Sequence, residues 1–193
     1  MDLKKHEELL KELQAKHPTV VLDGAVNNDQ WNSQKDKRIL WILKEVNDFA
    51  GDLRNLLNDP DELYKYSKWK LTYGLVAKVS YGLLNNKWVE DADSLVKGEN
   101  ILQKVAVINV NKLGGKEKSS IPKLRKAAKD FYDKYILKQI ESLDPDIVIL
   151  GGTAEVLPEK DIMKNKWIPA YHPGQRKITH KQYYDLIVKK LKA

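Results

Sequence analysis

Four short apolar runs constrain the fold of this chain more than any other feature. Within the strand candidates Arg38–Leu43 and Val105–Val110, residues 39–43 (Ile39-Leu40-Trp41-Ile42-Leu43) and 105–108, and likewise 147–150 and 167–171, carry apolar side chains at successive positions rather than at alternating ones. A strand with one face in water alternates, whereas a strand covered on both faces does not. Helical patterns separate the runs: one or two helices over 62–84, broken near Gly74 and Gly82, and a helix entered at Pro122 that runs with interruptions to Ser142. A helix or turn over Thr153–Leu157 and a closing helix from about Lys181 to Lys192 complete the series. Strands alternating with helices predict an α/β domain whose parallel sheet is covered on both faces.

The rest of the chain is lead-in and connection. Leu3, Leu9, Leu10 and Leu13 lie on one face of a helix over residues 3–17, which Pro18 closes. Residues 19–38 read as irregular, with one strand-like segment at Thr19–Leu22. A helix is expected to start near Asp91 in the polar stretch 85–100. The Asp144-Pro145-Asp146 turn leads straight into the third run. No repeat, low-complexity stretch or linker interrupts residues 1–193, so one domain is expected, with 1–37 as its helical and irregular lead-in.

Composition removes several classes of chemistry. The chain has no cysteine, which excludes a disulfide framework, thiol catalysis and cysteine-held zinc or iron–sulfur clusters. Its four histidines form no metal-binding pair, so no metal and no cofactor is expected. There is no apolar run of membrane-spanning length and no signal-like segment at Met1–Glu7, so a cytoplasmic location and no membrane partner are expected. The net charge of +7 is unevenly spread. Residues 111–138 hold nine Lys/Arg against three acids, residues 160–193 nine against two, and the remainder is net acidic. Two basic segments beside strand-end loops suit a polyanion, although lysine-rich solvated helix faces produce the same count.

Each run stops in a polar cluster: Lys44-Glu45-Val46-Asn47-Asp48, Asn109-Val110-Asn111-Lys112, Gly151-Gly152-Thr153 and His172-Pro173-Gly174-Gln175-Arg176. In open parallel sheets ligands bind outside the carboxyl ends of the strands. A carboxylate such as Glu45 can hold and activate a water there, or simply pair with a lysine. Asn109 and Asn111 offer the donor and acceptor needed to read the edge of a pyrimidine, and asparagine also ends strands for local reasons. Pro173 fixes the chain beside His172, whose imidazole can donate to an oxygen that becomes negative. The Gly114-Gly115 and Gly151-Gly152 turns match no nucleotide fingerprint. Tyr64, Tyr66, Trp69, Tyr73 and Tyr81 read as a helix's core and interface face. Phe49, four residues past Glu45, is the aromatic placed to stack on a base.

Taken in order, these clusters resemble the uracil-DNA glycosylase superfamily, in particular the branch whose first motif is GEAPG and whose second is NVVKCRP. Residues Lys44–Asp48 stand at the first motif, Asn109–Leu113 at the second, and Tyr171-His172-Pro173-Gly174-Gln175 at its YHPS motif. The stretch Gln139–Ala154 follows the branch's QIxxLxPxxIxxLGxxA pattern, and the likeness spans roughly residues 38–190. It implies a three-layer α/β/α sandwich around a four-stranded parallel sheet. It further implies hydrolysis of the N-glycosidic bond of uracil or a related modified pyrimidine flipped out of DNA. In that scheme Glu45, assisted by Asn47, activates water, and His172 stabilises the leaving base. Asn109 and Asn111 read its edge and Phe49 stacks on it. Gly174, Gln175, Arg176 and Lys177 enter the minor groove, while Lys112, Lys116 and Ser119 contact phosphate. The protein would act as a monomer with DNA as its partner.

The chain departs from those motifs at four points. Lys44 stands for a glycine, Asn47 for a proline, Gly174 for a serine, and the cluster-binding cysteines are missing. These departures keep two other expectations open: a glycosylase-like module that binds DNA or a protein without hydrolysis, and an α/β enzyme acting on a free nucleoside or small amide.

Overall fold

The structure is a computed structural model describing residues 1–35, 37–46, 49–115, 120–165 and 167–192. Among the described residues the chain runs α1 (Leu3–Lys16), β1 (Val21–Leu22), β2 (Gly24–Ala25), α2 (Asn28–Ser33), β3 (Ile39–Leu43), β4 (Gly51–Asp52), α3 (Leu53–Asn58), α4 (Pro60–Tyr64) and α5 (Trp69–Asn85). A π-helical turn (Ser94–Gly98) and a 3-10 turn (Ile101–Lys104) then lead into β5 (Ala106–Asn109). The second half comprises α6 (Ile121–Phe131), a π-helical turn (Tyr132–Ile136), α7 (Leu137–Leu143), β6 (Ile147–Gly151), α8 (Glu159–Lys164), β7 (Ile168–Ala170) and α9 (His180–Leu191).

The main sheet has the order β2-β5-β3-β6-β7. The last four strands are parallel, with β3 central between β5 and β6. All five residues of β3 are buried, as a run of successive apolar side chains requires. They divide between two cores. Leu40 and Ile42 join Ile108 and Leu150 under α1, α6, α7 and α8. Ile39, Trp41 and Leu43 join Val107, Ile149 and Ile168 under α3, α5 and α9. That is the expected α/β/α sandwich. Burying each such side chain is worth roughly 1.5–3 kcal/mol.

Three expectations need correction, the first being that residues 19–38, read as irregular, hold the helix α2, whose N-cap Asn27 accepts from Asp29 N and Gln30 N. The sheet has five strands rather than four, because Gly24–Ala25 pairs antiparallel with β5 at the edge. Two residues, one of them glycine, carry no apolar pattern by which to find them. Helix α5 also runs unbroken through Gly74 and Gly82. Gly82 is a close approach instead of a break: a Cβ there would stand 2.6 Å from the Tyr184 ring of α9. The helix stops at Asn86, which takes the left-handed conformation at φ 53°.

Local signals set the helix starts nearest the strand ends. Ser120 caps α6 by accepting from Lys123 N, with Pro122 in its first turn. Thr179 and Gln182 form a capping box on α9. No helix among the described residues is long and apolar enough to cross a membrane.

Candidate active site at the carboxyl ends of the strands

Pairing between β3 and β5 continues past both strands and fixes the first cluster. Val110 N donates to Leu43 O (2.9 Å), Asn111 N to Lys44 O (2.9 Å) and Gly115 N to Val46 O (2.7 Å). Extended neighbours point to opposite sides of a strand, and Lys44 and Glu45 part in that way. Glu45 turns under the loop that follows β5, where its side chain is only 1% exposed. Asn111 Nδ2 donates to its Oε2 (2.7 Å), and Lys123 Nζ of α6 lies 3.8 Å from the same oxygen. Gly115 closes over the carboxylate so tightly that a Cβ there would be 2.1 Å from Glu45 Cδ. The Gly114-Gly115 turn therefore serves the carboxylate.

Lys44 runs the other way, over the end of β6. Gly152 has φ +75°, and a Cβ on it would meet His172 Cβ at 3.0 Å and Lys44 Cε at 3.1 Å. Only glycine accepts both the conformation and the approach. The second glycine pair thus lets the loops after β3 and β7 converge.

His172 is held by its own loop. Gly174 N donates to its Nδ1 (3.1 Å), so in the neutral ring the proton sits on Nε2. Burial, and behind it the positive charge of Lys44, holds the imidazole down to about 4 from its usual 6.5. At neutral pH the ring is an uncharged donor.

His172 and Lys44 line a cavity of about 660 Å³. Glu45, Phe49, Gly174 and Gln175 also line it, and Tyr66, Trp69 and Tyr73 form an aromatic wall together with Lys65 and Lys68. Its size is typical of small-ligand sites. Phe49 meets Tyr66 edge to face, with centroids 6.3 Å apart. Tyr66, Trp69 and Tyr73 are the lining residues that sequence reasoning missed, having assigned them to a helix's packing face. The signal that could have found them is the alternation of aromatic and basic residues in Lys65-Tyr66-Ser67-Lys68-Trp69.

Several expected site residues lie elsewhere. Lys112, expected at phosphate, is fully buried, and its Nζ donates to Asp23 Oδ1 (2.5 Å). Asn109, expected to read a base edge, is buried on the same carboxylate through its backbone N (2.7 Å) and Nδ2 (3.3 Å). Gln139 Nε2 adds a fourth donor at 3.2 Å. Asp23, inside the segment that reads as irregular, draws both strand-end residues inward, so neither reaches the cavity. Asn111 also does not line it, because its amide is committed to Glu45 and Gly114 O.

Gln175 uses its side chain to fold its own loop, accepting from Lys177 N and Ile178 N and donating to Ile178 O. Arg176 and Lys177 beside it are exposed. Asn47, Lys116 and Ser119 lie outside the described residues.

Comparison of the chain with models of protein families, with curated proteins and with solved structures finds no match.

Proposed function

We propose that this cavity takes a uracil or related modified pyrimidine flipped out of DNA and hydrolyses its N-glycosidic bond. The observation that carries the reading is His172, a neutral imidazole locked by Gly174 with its N–H on Nε2, lining a cavity with an aromatic wall and room for a base. A base in a duplex must be rotated out at a cost of a few kcal/mol before any pocket can hold it. Stacking on Phe49 and the aromatic wall offsets that cost, as do phosphate contacts from exposed cations such as Arg176 and Lys177.

As the bond breaks, the sugar becomes oxocarbenium-like and the base becomes an anion. The Nε2–H of His172 then donates to the base oxygen on which charge gathers. A fixed donor of this kind contributes about 3–4 kcal/mol. Glu45 is closed off from solvent under Gly115, so in this reading it acts chiefly through its charge, felt by the cationic sugar across the cavity wall without contact.

The same enclosure of Glu45 favours a second reading, a module that binds DNA without hydrolysis. One assay separates them: a deoxyuridine oligonucleotide is incubated with the protein and tested for alkali-labile abasic sites. Hydrolysis requires cleavage that falls in both His172→Ala and Glu45→Gln. Salt-dependent DNA binding with no base release across a panel of modified bases supports the second reading.

A further inference from the structure

We propose that Lys44 is a catalytic residue of this site, its ammonium providing a second contact to the departing base and restricting the site to bases that leave as anions. The inference rests on the glycosidic reading above. Its ground is geometric: Lys44 Cε and His172 Cβ lie 3.1 Å and 3.0 Å from the same point above Gly152, and both residues line the cavity. Glu45, its neighbour in sequence, is turned away to Asn111 and Lys123. Lys44 thus lines the cavity directly beside the imidazole. The lysine's charge is the second cause, after burial, of the lowered proton affinity of His172.

The chemistry follows from the two groups together. In the reaction the C1′–N bond breaks with its electron pair going to the base, where it spreads onto the ring carbonyl oxygens. A water oxygen bonds to C1′ and loses a proton to solvent, and a proton from solvent ends on the base nitrogen. Positive charge next to the imidazole lowers the energy of that anion before it is protonated, and does so in a partly desolvated site where the attraction is strong. The same charge repels a base that is already a cation. Poor leaving groups, which carry more negative charge into the transition state, gain most. An N-alkylated purine such as 7-methylguanine, cationic in DNA, is excluded.

The test uses the full chain with three oligonucleotides carrying deoxyuridine, 5-fluorodeoxyuridine or 7-methyldeoxyguanosine, under single-turnover conditions. Lys44→Met is expected to slow uracil release about 10²-fold and 5-fluorouracil release less, because that base leaves more easily. Lys44→Arg recovers most of the rate, borohydride traps no adduct, and 7-methylguanine is not released by the natural chain. A thermal unfolding scan of both variants shows that the losses are chemical. Equal penalties on both pyrimidines, unchanged rates in Lys44→Met, a borohydride-trapped adduct on Lys44, or release of 7-methylguanine at the uracil rate each overturn the inference and leave the glycosidic reading standing. No release by the natural chain from any of the three removes both.

Discussion

Two polar clusters stand at the ends of neighbouring strands, and they do opposite things. After β5, Lys112 and Asn109 converge on Asp23 in a sealed interior, with Gln139 closing the set. After β3 and β7, Lys44 and His172 converge at an open cavity. In the sequence the two look alike: each is an apolar run followed by an amide or imidazole and a lysine. What separates them is the partner. A buried carboxylate claims the first cluster, whereas no described acid claims Lys44. The lesson is that polar groups at a strand end are candidates for chemistry only when the fold leaves them without an internal counterion.

The largest expected effect lies on the sealed side. Lys112→Met leaves Asp23 as an uncompensated buried charge and is expected to destabilise the fold by about 3–5 kcal/mol in urea unfolding. The double variant Asp23→Leu with Lys112→Met removes both charges and should regain much of that loss. Natural stability in Lys112→Met would break the distinction between the clusters.

The next effect is set by pH. Folded His172 takes up its proton at about 4, an unfolded histidine at 6.5. Between those values the unfolded chain binds the extra proton, so this contribution to stability is lost as the pH falls through the window, by up to about 3 kcal/mol. His172→Ala should flatten that part of the stability profile. Lys44→Met should shift its midpoint upward, since part of the depression comes from the lysine's charge.

The smallest of the three concerns the clamp on Glu45. Gly115→Ala puts a Cβ where the carboxylate already lies. It is expected to cost about 1–3 kcal/mol as an overpacking change and to lower base release, whereas Gly98→Ala, with open space around its Cβ position, should leave base release alone. Equal base release in the two variants would show that the position of Glu45 does not matter.

Much of this arrangement is legible in the sequence, for reasons that also explain the rest. Successive apolar residues in Ile39–Leu43 require cover on both faces, so the central strand and the layers around it can be read directly. Pro173 beside His172 marks a fixed imidazole at a strand end, and the cavity includes it. The burial of Lys112 is not legible. A lysine after a strand ordinarily faces water, and Asp23, which overrides that, sits 89 residues away. The aromatic wall escapes for the converse reason: Trp69 and Tyr73 have the spacing of a packing face, and only the position of α5 by the end of β3 turns that face into the side of a cavity. The opposite directions of Lys44 and Glu45 follow from strand alternation, but where each ends up depends on glycines at 152 and 115 that belong to other loops.

The most direct test takes one variant from each cluster and measures the single-turnover rate of uracil release per folded molecule from a deoxyuridine oligonucleotide. The account predicts that His172→Ala keeps its stability at neutral pH and loses about 10²–10³ in rate, while the folded fraction of Lys112→Met cleaves like the natural chain. A natural rate in His172→Ala, or no release by the natural chain, would contradict it.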